Sequence, residues 1–231
     1  MFALYALSRG KSRRTEAYNR MSATARIGEC VPLLPLFPLD LVLFPGVALP
    51  LHIFEPRYKE MIGECLANQA SFGVVRALEQ GIAEIGCTAL IVKVTKKYPD
   101  GRLDLVAEGR DRFEVLELNR ERSFLRAEVM LIPDEPAAAN KAETKRAVEL
   151  HREILSLAGA AQDSPETGQP LLSFSLAGSL PLDLDFKQNL LAMRSEAQRM
   201  PALVTHLESI LPALRRVARA REKTGGNGHL H

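Results

Sequence analysis

The chain is predicted to be an α+β protein, a bent β-barrel followed by an α-helical bundle, on three observations. Its early hydrophobic segments are cut short by Pro35, Pro38, Pro45 and Pro50. The middle of the chain alternates apolar and polar residues, and after a Pro- and Ala-rich break at 133–139 the apolar spacing becomes helical. Proline fixes φ and has no backbone N–H, so the segments between those four prolines suit short strands at sheet edges or bends.

Each element follows from local chemistry. Short strands are expected between 31 and 51. Glu55-Pro56 then turns the chain into a helix, because proline is tolerated at the first helical position and an acid suits the positive end of the helix dipole. Over 56–68, Tyr58, Met61, Ile62, Cys65 and Leu66 fall on one helical stripe. Strands are expected at 72–77 and 89–95, then a tight turn at 98–101 whose Pro99 and Gly101 suit it. The segments 103–107, 112–118 and 124–132 read as an antiparallel meander.

The second half reads as helices. Residues 141–158 place Ala147, Leu150, Ile154, Leu155 and Ala158 on a stripe, and 159–169 is a Gly- and Pro-containing break. Short helices are expected at 170–180, ended by Pro181, and at 185–193. The last opens on a capping-box spacing, Ser195 to Gln198, and carries Met200, Leu203, Val204, Leu207, Ile210, Leu211 and Leu214. Pro201 and Pro212 predict kinks or a late start. The resulting organisation is a flexible basic tail at 1–28, a barrel at 29–133, a linker at 134–140, a helical bundle at 141–221 and a flexible end at 222–231. Met21 is an alternative start, and a targeting peptide an alternative reading of the tail.

The net charge of +2 is uneven. Residues 1–28 carry six Lys/Arg and one Glu, and 215–231 carry five and one, which leaves 19 basic against 26 acidic residues, −7, in 29–214. An acidic body repels phosphate, so nucleic acid is not the expected partner. Among 231 residues no run approaches the ~18 apolar residues that span a bilayer. Cys30, Cys65 and Cys87 form no Cys-x-x-Cys pair, which fits a reduced compartment without disulfides or zinc, and the expected location is cytoplasmic. Cys65 is expected in the core.

Several blocks together resemble the N-terminal domain of the Lon protease family. They are the Pro-punctuated segment 34–58, the strand-like 86–94, the turn 99–102, the strand-like 108–115 and 124–129, and the helical 175–182 and 187–191. They follow the family's order over about residues 31–215. The resemblance implies a PUA-like barrel, and a domain that takes part in recognising unfolded or tagged polypeptides. It does not extend to the family's catalytic parts. A phosphate-binding loop needs Gly-x-x-x-x-Gly-Lys-Ser/Thr, and the Gly-Lys-Ser at 10–12 has Tyr5 where the first glycine belongs. No block resembles the Ser/Lys protease domain. The chain is therefore expected not to be an enzyme, and to work with no cofactor and no metal.

Other constellations are thin. His52 and Glu55 give two ligands where zinc needs three or four. Glu55 and Arg57 are read as a structural ion pair pinning the helix to the barrel. His151 and His206 are read as surface or cap residues, because no nucleophile motif accompanies them. Arg110, Arg112, Arg120, Arg122 and Arg126 interleave with acids and are read as neutralising them on the outer face of a hairpin. The basic run 215–221 suits the negative pole of a helix end.

The functional candidates are Phe44, Val47, Leu49, Leu51, Phe54 and Tyr58. An edge strand interrupted by proline leaves backbone groups unpaired and apolar side chains half covered, where an extended polypeptide can add as a further strand. The expected function is non-catalytic binding of unfolded or tagged polypeptides, or of a proteolysis partner. RNA binding by a PUA-like barrel and an unrecognised hydrolase are the alternatives.

Overall fold

A computed structural model describes residues 33–160 and 165–225, which from Leu33 onward belong to one compact unit. Residues 1–28, where the basic tail, Met21 and the targeting alternative lie, are outside the described residues. The elements are β1 (Leu34–Leu39), β2 (Ala48–Ile53), α1 (Pro56–Asn68), β3 (Phe72–Leu78), β4 (Gly81–Ile82), β5 (Ile85–Lys97), β6 (Leu103–Asn119) and β7 (Arg126–Ile132). Then come α2 (Lys141–Ala158), α3 (Leu172–Gly178), α4 (Leu184–Ala192) and α5 (Glu196–Gly225). The protein is thus α+β, with the seven strands and α1 first and the other four described helices after. No described helix is long and apolar enough to cross a membrane.

The strands close on themselves. Neighbours run β1-β7-β6-β5-β3, and β3 pairs in parallel with β1, completing a five-membered ring. Inside the ring Phe113 is fully buried with Leu36, Val75 and Ala127. Gly73 and Gly86 make room for it, since a Cβ at either position would come within 2.7 and 2.6 Å of the Phe113 ring. A small barrel is filled by its own side chains, and here one aromatic ring occupies the space that two glycines leave.

The segments 103–107 and 112–118 are one strand, not two. β6 bends without breaking, through register shifts against β5 after Cys87, Ile91 and Val94 and against β7 after Val115. This length lets β6 pair with β5 along most of its course, with β2 near its start and with β7 near its end.

Outside the ring, α1 and the inner face of β2 cover a second core. Tyr58, Met61, Ile62 and Cys65 pack with Phe37, Leu49 and Ile53, so the helical stripe read from sequence is the buried one. Burial pushes the Cys65 thiol up to about 11 and raises that of Cys87, leaving both as inert core groups. The far side of α1 is held by Arg122, which donates to Glu60 and Glu64 at 2.5 Å, and by Ser123, which donates to Glu60 at 2.6 Å.

The helices form the third core. Asn140 caps α2 by accepting from the Ala142 N–H at 2.8 Å, and Gly159 ends it in the left-handed conformation with φ 68°. Asp183 caps α4. At α5 the capping box is displaced by one residue, with Gln198 accepting from the Arg194 N–H at 3.0 Å. Pro201 and Pro212 both lie inside α5, which continues through them. Arg146 pairs with Glu208 and Arg215 with Glu153, at 2.8 and 2.7 Å. Each pair spans the same offset in sequence, so α2 and α5 run parallel, and the arginine at the start of the basic run is committed to this seam.

His151 and Arg112 depart from their sequence reading. His151 is fully buried, not at the surface, because it sits on the inner stripe of α2 beside Leu150 and Ile154. Arg112 is 3% exposed and turns inward, not onto an outer hairpin face, because carbonyls at the end of α4 and the Asp134 carboxylate await it there.

Burial also lowers the pKa of His151, so the folded protein resists protonating it while the unfolded chain does not. Stability is therefore full above the ordinary histidine range and falls as pH drops through about 6.5. Melting curves taken between about pH 7.5 and about pH 5.5 are expected to fall, and to fall less in His151→Gln. A flat profile in the parent protein refutes this. His206, also lowered by burial, acts in the same direction.

Candidate functional site

The predicted rim is for the most part an internal joint. Phe44 is fully buried and stacks on Phe174 of α3, ring centres 5.0 Å apart, within the helical core. Its loop is gripped on both sides. The Gly46 N–H donates to the Gly109 carbonyl at 2.9 Å and the Gly109 N–H to the Val47 carbonyl at 3.0 Å, while Val47 packs where α3 presents Gly178. A Cβ on Gly109 would lie 2.1 Å from the Phe44 carbonyl oxygen, so glycine alone permits the approach. Leu49 and Tyr58 are buried and Leu51 is half-buried, all against the core beneath β2. Of the six candidates only Phe54 is an exposed large hydrophobic, at 57%.

The reason is the two-residue period of β2. Leu49, Leu51 and Ile53 point inward, and Ala48, Pro50 and His52 outward. That alternation was readable in the sequence, and it assigns the outward row to the residues that hydrophobicity alone passes over.

Among the described strands, the far edge of β2 is left without a partner. β2 pairs with β6 and with no other described strand. The Gly109-to-Val47 bond sets the alternation of the ladder, so residues 49, 51 and 53 address β6 while Ala48, Pro50 and His52 turn their backbone outward. Pro50 offers a carbonyl but no N–H there, which blunts the edge without closing it. Register places His52, Asp104 and Lys96 in one row across β2, β6 and β5, and Pro50, Val106 and Lys93 in the next.

The row ends in an aromatic corner. His52 stacks on Phe54 at 5.8 Å and meets Tyr98 edge-on at 5.9 Å. Lys96 and Arg102 lie over the Tyr98 ring at 4.5 and 4.8 Å. Asp104 accepts from His52 Nδ1 at 2.5 Å and from the Tyr98 hydroxyl at 2.8 Å, and these bonds, His52 first, hold its carboxyl below the ordinary range. Lys59 of α1 donates to the Asp100 carbonyl at 2.9 Å, which fixes the β5–β6 turn against the helix start.

Glu55 and Arg57 do meet, at 2.8 Å, but both stand at the start of α1 and both are largely exposed. The pair braces the first helical turn, while Arg122 ties α1 to the segment between β6 and β7.

A cavity of about 300 Å³ lies on the other side of the helix start, lined by Arg57, Tyr58, Arg120, Arg122 and Phe124 among others. Its lining includes Ser123, whose hydroxyl donates to Glu60 at 2.6 Å beside Arg122. Ser179 and His151 are 2.7 Å apart, and Ser179 also donates to the Leu176 carbonyl at 3.1 Å. Among the described residues no group of three or more His, Cys, Asp or Glu is placed to hold a metal ion.

Comparison with known proteins gives one consistent picture. The family model described as the ATP-dependent protease La (LON) substrate-binding domain matches residues 33–209. The chain is 27% identical over 148 residues to a Lon protease of Parabacteroides distasonis, covering 61% of the chain and 18% of that protein. It is 27% identical over 186 residues to a Lon protease of Flavobacterium johnsoniae, covering 72% and 22%. It thus spans about a fifth of the length of these relatives. Among solved structures, a Lon N-terminal domain protein from Xanthomonas campestris matches with TM-score 0.62 and 29% identity, over 75% of this chain and 97% of that one. The N-terminal domain of Mycobacterium avium complex Lon protease matches with TM-score 0.57 at 17% identity, over 76% and 98%, a likeness of fold.

Proposed function

We propose that this chain, which belongs to the ATP-dependent protease La (LON) substrate-binding domain family, is a non-catalytic module that takes extended segments of unfolded or tagged polypeptides along the outer edge of β2. The observation that carries the reading is the unpaired edge of β2 ending at Phe54, which is 57% exposed beside His52 and Tyr98. A visiting strand gains main-chain hydrogen bonds from the outward groups of Ala48, Pro50 and His52, and Phe54 supplies an apolar contact at the end of the row. With Pro50 withholding one donor, few such bonds form. Attachment is therefore weak and reversible, as suits a module that hands its client on.

The test is fluorescence anisotropy with a labelled, reduced and carboxymethylated lactalbumin, a permanently unfolded probe. Phe54→Ala is expected to weaken binding about tenfold, the loss of roughly 1.4 kcal/mol of aromatic contact, with an unchanged melting temperature. His52→Pro, which removes an outward donor, is expected to weaken it as well. Undiminished binding in both variants, or no binding by the parent protein, refutes the reading.

A further inference from the structure

We infer that the cavity between the start of α1 and the β6–β7 connection binds a carboxylate group borne on an apolar stem. The site shares no residue with the β2 edge and does not depend on strand binding there. At about 300 Å³ it has the size of a small-ligand pocket. Pro38, Phe124 and Leu125 supply apolar wall, while Arg57, Arg120 and Arg122 line it with no carboxylate among the lining residues.

Two groups in this lining lack a partner among the described residues. Tyr58 is only 7% exposed and lines the cavity. Its hydroxyl bonds to no described residue, yet it is not sealed from solvent. Burial raises the pKa of that hydroxyl, so it keeps its proton and can donate. Arg120 is exposed, and its guanidinium makes no ion pair or hydrogen bond with a described residue. The other two arginines are held in place. Arg57 donates to Glu55 and lies over the Tyr58 ring at 4.6 Å. Arg122 is held by Glu60 and Glu64 and lies over the Phe124 ring at 4.8 Å.

The charges decide which anion fits. Three guanidinium groups are matched by the carboxylates Glu55, Glu60 and Glu64, so the surroundings are close to neutral and offer directed donors in place of a strong field. A dianionic phosphate or a nucleic acid draws its affinity from such a field and gains little here. A single carboxylate can accept from Arg120 and from the Tyr58 hydroxyl in one cavity, while its stem rests on Phe124 and Leu125.

The test titrates the full chain with N-acetylleucine and with its amide, N-acetylleucinamide, and follows backbone amide chemical shifts. The acid is expected to bind with a Kd of about 1 mM, about tenfold more tightly than the amide. Tyr58→Phe, which keeps the ring, and Arg120→Gln, at an exposed position, are each expected to weaken the acid about fivefold and to leave the amide unchanged. Melting curves verify that both variants are folded. Two short peptides distinguish the source of the carboxylate. Preference for one ending in a free leucine points to a chain terminus, preference for an amidated one with an internal glutamate to a side chain, and binding of N-acetylleucine alone to a small free acid. Equal binding of acid and amide, no binding of either, full affinity for the acid in both variants, or tighter binding of inorganic phosphate than of the acid overturns the inference.

Discussion

Replacing Asp134 with alanine is expected to cost about 3–5 kcal/mol, a fall of about 6–20 °C in melting temperature for a domain of this size. The carboxylate stands between two buried guanidinium groups. Arg112, from β6, donates to Asp134 Oδ1 at 2.6 Å and to the Leu191 and Met193 carbonyls at 2.8 and 2.6 Å. Arg199, from α5 and 0% exposed, donates to both Asp134 oxygens, to the Met193 carbonyl at 3.0 Å and to Ser173 at 2.9 Å. One side chain on the segment between sheet and helices thus ties a barrel strand to the last helix.

Truncating Asp134 leaves Arg112 without its carboxylate and Arg199 with Glu196 alone in a desolvated site, and an unpaired buried charge costs more than a good pair contributes. Glu196 accepts from Arg199 at 3.3 Å and from Ser173 at 3.0 Å, but does not reach Arg112 within ion-pair distance. Asp134→Asn is expected to fall between the parent and the alanine variant, because an amide retains one acceptor but no charge. Calorimetric melting curves decide the matter. A shift of less than about 2 °C for Asp134→Ala means that solvent reaches the arginines and that the tie is weak.

Phe44→Ala has the second large effect, about 3–5 kcal/mol of lost stability, because a fully buried ring is removed from a packed interior. Phe174 touches Phe44 on one hand and lies 4.2 Å from the Arg199 guanidinium on the other, so the cavity opens beside the polar tie. The variant also separates two roles for this residue. As a rim residue, Phe44 would be needed for binding and dispensable for folding. As a joint, it is needed for folding, and the folded fraction of Phe44→Ala, held below its lowered melting point, binds the unfolded probe as the parent does. Loss of binding without loss of stability returns Phe44 to the site.

These two residues show where sequence reading stopped. The element pattern was legible because it rests on local rules. Prolines cut strands, Pro56 starts a helix, and the stripe from Tyr58 to Cys65 has the period of a buried helical face. The place of Phe44 was not legible, because a hydrophobic residue in a Pro-Gly loop has the same local chemistry whether a neighbour covers it or water does. Its cover comes from α3, some 130 residues later in the chain. The outward row of β2 was within reach, since alternation separates Pro50 and His52 from Leu49 and Leu51, but Pro50 and His52 are not hydrophobic enough to draw attention.

The amino-acid sequence by itself determined the order and kind of most elements, the family, the absence of a phosphate-binding loop and the acidity of the body, because each depends on residue type and near-neighbour spacing. Only the tertiary structure decided that the apparent linker carries the carboxylate joining sheet to helices, that Arg112 and His151 face inward, and that β2 has one described partner strand and so an unpaired far edge. Those outcomes depend on which distant segments meet, and the meeting is fixed by close packing around Phe113, Gly109 and Phe174, a property of the whole chain that no single segment displays.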